Sequence, residues 1–240
     1  MKDTIYRFAN NSVKPFEFNE EVANVFPDMI LRSVPGYPLT ISMISVIADK
    51  FYQTGSNIYD LGCSLGTVSI AISKVIRDKK CKIIAIDNSE AMIRSCCKNN
   101  KKEENGSKID FILDDILMTN INNASIVVMN FSLQFIQLEK RQELIERIFN
   151  GLLPGGALIL SEKIFFHDKN ENDAMTRLHY HMKELNGYEK LEISSKRKSL
   201  EDVLIPEKID THLKRLSQAG FKDSFVWLKC FNFASLVAFK

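Results

Sequence analysis

The stretch Asn57-Ile58-Tyr59-Asp60-Leu61-Gly62-Cys63-Ser64-Leu65-Gly66-Thr67 decides the fold. An apolar run ends in a glycine turn and feeds a segment with Leu65, Val68, Ile72, Val75 and Ile76 at helical spacing. A strand that turns through glycine into a helix lets backbone approach a bound nucleotide closely. A second apolar run, Lys82-Ile83-Ile84-Ala85-Ile86, ends at Asp87, 21 residues after Gly66. At that spacing a carboxylate meets the two hydroxyls of a ribose. Turn and acid together predict an adenosine-containing ligand; a buried turn without a ligand is the alternative.

The turn lacks the third glycine of the dinucleotide fingerprint, whose helix start faces a pyrophosphate. Asp60 would repel a pyrophosphate and instead suits an ammonium group. Asp60-x-Gly62-x-Ser64-x-Gly66 resembles the first motif of Rossmann-like S-adenosylmethionine-dependent transferases, with Ser64 in place of the usual middle glycine.

Outward from the turn, strands are expected at 56–61, 81–86, 108–113, 125–130 and Ala157–Ser161. Helices are expected at 64–76, 89–99, 138–152 and 207–219, the third stopped by Pro154-Gly155-Gly156 and the last by Gly220. Strands 223–230 and 233–239 are joined only by Phe231-Asn232, too short for a parallel crossover, so they must be antiparallel. The reading is α/β: a Rossmann-like seven-stranded methyltransferase fold, mainly parallel, with a C-terminal antiparallel hairpin. Residues 1–240 are expected to form a single domain, with 1–54 a helical cap, 55–164 and 206–240 the core, and 165–205 a helical insertion or lid. In the cap, helices are expected near 19–26, from Pro27 onward, and near 39–52 with Leu39, Met43, Ile47 and Phe51 on one face.

With 32 basic and 30 acidic residues the net charge is +2, which does not suggest a polyanion-binding surface or direct nucleic-acid binding. Lys79, Lys80, Lys98, Lys101 and Lys102 read as a solvated face. There is no 18-residue apolar run and no leader-like h-region, so a cytoplasmic protein without a membrane span is expected. Five cysteines without framework spacing fit a reducing compartment; Cys96 and Cys97 are expected to pack against the sheet. No metal site is expected. His179 and His181, two apart on a helix, face different ways and read as solvated or capping.

Ligands of such sheets bind beyond the carboxyl ends of the strands. That rule nominates Asp60, Gly62, Cys63, Ser64 and Gly66, then Asp87 and Asn88, then Asp115 and Ile116 for the adenine, then Asn130. Asn130 is not followed by the Pro-Pro-Tyr of amide- and amine-methylating enzymes, and no carboxylate or histidine beside it can act as a base. Lys196-Arg197-Lys198 reads as a solvated run unless one member turns inward to clamp a carboxylate, for which arginine's planar fork is best suited.

More specific segments occur together: Arg32-Ser33-Val34-Pro35-Gly36-Tyr37, Tyr59 to Gly66, Ile86-Asp87-Asn88-Ser89, Asn130-Phe131-x-Leu133-Gln134-Phe135, Ser161-Glu162-Lys163, Asn186-Gly187-Tyr188 and Cys230-Phe231-Asn232-Phe233. From about residue 18 to its end the chain resembles the carboxy-S-adenosyl-L-methionine synthase family. The resemblance implies conversion of S-adenosylmethionine and prephenate to carboxy-S-adenosylmethionine and phenylpyruvate, without a metal. It also implies a homodimer whose product feeds a tRNA uridine carboxymethyltransferase making wobble 5-oxyacetyl uridine. By resemblance, Arg197 is the catalytic cation that holds the new carboxylate. Tyr37 and Asn130 contact the ligand, Gly62 to Ser64 hold the methionine portion, Asp87 and Asn88 the ribose, and Asp115 and Ile116 the adenine. Because prephenate supplies its own base, none is needed in the site. Arg32 is a further candidate for a prephenate carboxylate, against an exposed or capping role. The alternatives are a S-adenosylmethionine-dependent small-molecule methyltransferase and a non-catalytic cofactor-binding partner.

Overall fold

The computed structural model describes residues 1–7, 14–76, 80–98 and 108–240, and the backbone alone of 99 and 100. Lys79, Lys101 and Lys102 of the expected solvated face lie outside them. Seven strands build one sheet: β1 (Asn57–Leu61), β2 (Lys82–Asp87), β3 (Ile109–Leu113), β4 (Ala124–Asn130), β5 (Leu152–Lys163), β6 (Asp223–Cys230) and β7 (Phe233–Phe239). Their spatial order is β3-β2-β1-β4-β5-β7-β6. Strands β1 to β5 pair in parallel, with Tyr59 between Ile84 and Val127. Strand β7 is antiparallel to both β5 and β6. It alone runs backwards, so the fold is mainly parallel with a closing antiparallel pair.

Strands β1 and β4 are buried almost from end to end, as expected of parallel strands covered on both faces. Successive side chains therefore enter different cores. Ile58 and Ile126 join Ile44 and Ile72 on one face, beneath α2 (Tyr37–Phe51) and α3 (Thr67–Val75). Tyr59 and Val127 join Leu144, Ile148 and Leu216 on the other, beneath α5 (Leu138–Gly151) and α8 (Ile209–Ala219). Among the described residues no single helix is long and apolar enough to cross a membrane.

Three expectations are corrected. Residues 19–26 and the segment from Pro27 form one helix, α1 (Glu20–Ser33), with Pro27 inside it. Proline removes one backbone bond, but Val22, Ala23 and Val25 before it and Met29 after it share one buried cluster, which carries the helix through. Helix α2 buries Tyr37, Ile41, Ile44 and Ala48, whereas Leu39, expected on the principal apolar face, is 51% exposed. The helix is apolar nearly all round, so periodicity alone could not choose the face that meets the sheet. In α4 (Glu90–Asn100), Cys96 is buried and Cys97 exposed, because adjacent helical residues diverge by about 100°.

Arg141 on α5 is fully buried. It donates to the carbonyls of Gln134 (3.1 Å), Ile136 (2.9 Å) and Ile205 (2.9 Å), and pairs with Glu207 at 2.5 Å. The other Glu207 oxygen takes Arg215 at 2.7 Å. One guanidinium thus binds the turn after β4 to the segment that enters α8. Arg141→Met removes this donor from the Ile136 and Ile205 carbonyls and one arginine from Glu207, while Gln134 keeps the Ile205 N–H, and is expected to lower unfolding free energy by about 3–5 kcal/mol in urea titration. A loss under about 1 kcal/mol would show the clamp to be dispensable.

Candidate active site

The turn after β1 is shaped by backbone geometry. Gly62 (φ 80°), Ser64 (φ 50°) and Gly66 (φ 72°) are all left-handed. The N–H groups of Gly62 and Cys63 both donate to the Ile86 carbonyl, at 2.8 and 2.9 Å. Asp87 accepts from the N–H of Ser64 at 2.8 Å and of Ser89 at 2.9 Å. Asp60 accepts from the N–H and hydroxyl of Ser69 at 3.1 and 2.6 Å, which fixes the start of α3. Burial raises the Asp60 pKa to about 6, and burial also raises that of Asp87.

These residues open into a cavity of about 560 Å³. Of the residues nominated from sequence, Tyr37, Asp60, Gly62, Cys63, Ser64, Asp87, Asn88, Asp115, Ile116, Asn130 and Arg197 all line it. Gly66 does not. It caps α3 from behind the turn, where an added Cβ would come within 2.7 Å of the Phe111 ring. Arg32 is also absent from the wall. Its guanidinium donates to Asp28 at 2.5 Å and to the Asp3 carbonyl at 2.7 Å, and lies over the Tyr188 ring at 3.9 Å, so it fastens α1 to its surroundings.

The opposite wall comes from the insertion, helices α6 (Lys169–Leu185) and α7 (Lys190–Leu200), and from Phe16, Phe18 and Phe26 of the N-terminal region. His179 is buried rather than solvated, and it caps the C-terminal end of α1. Its Nε2 donates to the Ser33 carbonyl at 2.8 Å and its ring packs edge-on against Phe233 at 5.0 Å. Burial lowers its pKa to about 3, so the ring is neutral and its unprotonated Nδ1 has no partner. The Lys196-Arg197-Lys198 run is not a uniform solvated face: Lys196 is buried, while Arg197 and Lys198 are exposed, Arg197 at the cavity wall.

Lys163, Lys183 and His179 were not nominated from sequence, yet all line the cavity with Lys196. Lys163 ends β5, so the strand-end rule extended by one strand would have reached it. His179 and Lys183 lie four apart on α6 and therefore share a helical face. The buried Oδ1 of Asn130 has no partner either. Among the described residues no group of three His, Cys, Asp or Glu could hold a metal ion.

The 3₁₀ turn Leu133–Phe135 forms part of the wall and is held by Glu162, which accepts from the Leu133 N–H at 3.0 Å. Complete burial raises the Glu162 pKa to about 8.

A methyltransferase-domain family model matches residues 58–156. The chain is 47% identical over 239 residues to the carboxy-S-adenosyl-L-methionine synthase of Shigella sonnei, covering 100% of this chain and 97% of that protein. Its identity to the synthase of the same name from Yersinia enterocolitica is 46%, with 100% and 90% covered. Human N-acetylserotonin methyltransferase in complex with SAM superposes with a TM-score of 0.62 at 19% identity, covering 92% of this chain and 55% of that one. Magnesium protoporphyrin IX methyltransferase of Synechocystis with bound SAM gives a TM-score of 0.57 at 17% identity, covering 85% and 80%. These structures share the fold.

The geometry of the turn and of the buried acid each predict an outcome. A Cβ on Gly62 would lie 2.5 Å from the Ser132 Cβ, at a φ that L side chains avoid. Gly62→Ala is therefore expected to lose about 1–3 kcal/mol of stability and to weaken S-adenosylmethionine binding by about tenfold or more in calorimetry. Glu162 has a folded pKa above its unfolded value, so the native state holds its proton between pH 4.5 and about 8 while the unfolded chain has lost it. The resulting stability contribution is present below that window and is lost as pH rises through it. The stability advantage of Glu162→Gln over the parent should therefore grow from pH 4.5 to 8 in urea titrations, and a constant difference would refute the assignment.

Proposed function

We infer that this cavity makes carboxy-S-adenosyl-L-methionine, because the chain belongs to the carboxy-S-adenosyl-L-methionine synthase family. The protein is an enzyme of the transferase type on the methyltransferase fold. The lining residues favour one arrangement of S-adenosylmethionine in the cavity. Asp115 and Ile116 frame the adenine, Asp87 and Asn88 take the ribose hydroxyls, and Asp60 with Gly62 to Ser64 receives the amino-acid portion. That order leaves the sulfonium methyl near Tyr37 and Asn130, facing Arg197 and the β5 end of the cavity.

The second substrate in this reading is prephenate. As prephenate aromatises to phenylpyruvate, its ring carboxylate leaves as CO2 and its hydroxyl leaves as hydroxide. Hydroxide takes a proton from the sulfonium methyl and becomes water. The carbanion of the resulting ylide attacks CO2 and forms the new C–C bond, with Arg197 holding the carboxylate formed. The observation that carries the proposal is the guanidinium of Arg197 in the cavity wall, which pairs with no carboxylate among the described residues. His179, whose basicity burial lowers to a pKa of about 3, and the amide of Asn130 are poor proton acceptors, which supports proton transfer to a base supplied by the substrate. Aromatic walls from Phe18, Phe131 and Phe135 limit the water that would quench an ylide. The homodimer, the cytoplasmic site of action and the supply of product to a tRNA uridine carboxymethyltransferase belong to the same proposal.

Incubation of purified protein with S-adenosylmethionine and prephenate should give a sulfonium product heavier by one CO2 and an equal amount of phenylpyruvate by mass spectrometry. Turnover to S-adenosylhomocysteine without prephenate would instead support a methyltransferase. Arg197→Leu is expected to bind S-adenosylmethionine almost normally and to lose its preference for the carboxylated form. Equal weakening of both would assign Arg197 to the fold.

A further inference from the structure

Three lysines meet on the β5 side of the cavity, from three different elements. Lys163 ends β5, Lys183 lies on α6 and Lys196 on α7. Lys183 and Lys196 are only 6% and 7% exposed. None of the three forms an ion pair among the described residues. Lys196 Nζ has the Ser33 hydroxyl at 3.4 Å, and Lys183 Nζ stands 5.4 Å from the Tyr188 ring.

Asp3 raises Lys183 and Lys196 through space and Glu192 raises Lys183, but neither carboxylate forms an ion pair with them. Asp3 accepts from the Tyr188 hydroxyl at 2.6 Å, and Glu192 accepts from the Glu189 N–H at 2.8 Å. Burial and mutual repulsion lower Lys183 to about 8 and Lys196 to about 7, and all three lysines act on the neutral ring of His179 between them. Buried ammonium groups without counter-charges destabilise a fold, and lysine is seldom so deeply buried unless paired. Lys196 is only partly protonated near pH 7 in the empty cavity, and an anion bound among the three would restore its charge.

We propose that Lys163, Lys183 and Lys196 form the subsite for the second substrate, a small dicarboxylate, and that they, not Arg32, hold its carboxylates. The charge pattern gives this subsite its place. Along the sheet edge Asp115, Asp87 and Asp60 precede Asn130, and Lys163 follows it, so the cationic sulfonium compound and the anion occupy opposite ends. The unpartnered Nδ1 of His179 adds an acceptor for a hydroxyl on the same substrate. The identification of that dicarboxylate as prephenate rests on the reaction proposed above.

The test uses the full chain with Lys183→Met and Lys196→Met, which keep the length of the side chain and remove its charge. Each should raise the KM for prephenate by about tenfold or more. S-adenosylmethionine affinity should stay within about twofold of the parent, since that ligand lies beyond Asn130. The melting temperature of the ligand-free variants should hold or rise, because an uncompensated buried charge is gone. An unchanged KM, or a fall in melting temperature with parallel loss of both ligands, would overturn the subsite. If the parent consumes no prephenate, the reaction proposal fails, and calorimetric titration of prephenate into the S-adenosylmethionine-loaded proteins decides the subsite alone. Binding by the parent that the variants lose would uphold it, and no binding by the parent would overturn it.

Discussion

Five neighbouring strands run in one direction, and everything else about the molecule depends on that constraint. A parallel sheet empties every strand onto the same edge, so the chain must turn back there after each of the five. The residues at those reversals are not interchangeable. Across the edge they read Asp115, Asp87, Asp60, Asn130 and Lys163, a passage from acid through amide to base. The turn after β1 is kept narrow by one carbonyl, that of Ile86, taking two N–H groups from the neighbouring strand's end. A single shared acceptor therefore couples the geometry of the first loop to the position of the second.

The core and the cofactor side of the cavity were legible from the chain because their signals are local. Gly62 and Gly66 mark a left-handed turn, and Asp87 stands at a fixed distance beyond it. The short Phe231-Asn232 connection dictated an antiparallel pair without knowledge of any partner. The insertion was opaque for a physical reason. His179, Lys183 and Lys196 face a cavity inside the protein, and in sequence a polar face turned inward is indistinguishable from one that faces water. Helix α2 failed in the opposite way, since apolar residues on every side hide which face is buried. The role of Arg32 stayed open because two of its partners, Asp3 and Tyr188, come from remote parts of the chain.

The site also holds interactions that stability alone would remove. Asn130 Oδ1 and His179 Nδ1 are buried without partners among the described residues, and Glu162, behind the wall, is buried where ionisation is unfavourable. Hydrophobic residues of similar volume would make a firmer wall. Unsatisfied groups beside a void are the pattern expected where function opposes packing.

The position of β7 sets the order in which such a molecule can be completed during synthesis. β5 pairs through Ala157 to Lys163 with a strand made of Phe233 to Phe239, so that apolar edge stays open until those residues have been added. The N-terminal segment waits almost as long: Phe16 donates to the Ser199 carbonyl at 2.8 Å, and Asp3 meets Tyr188. A nascent chain can assemble β1 to β4 early, yet it has neither the roof of the cavity nor the cover for β5. Ligand binding thus waits for synthesis to pass β7, and the exposed side of β5 is where a ribosome-associated chaperone would have most to protect.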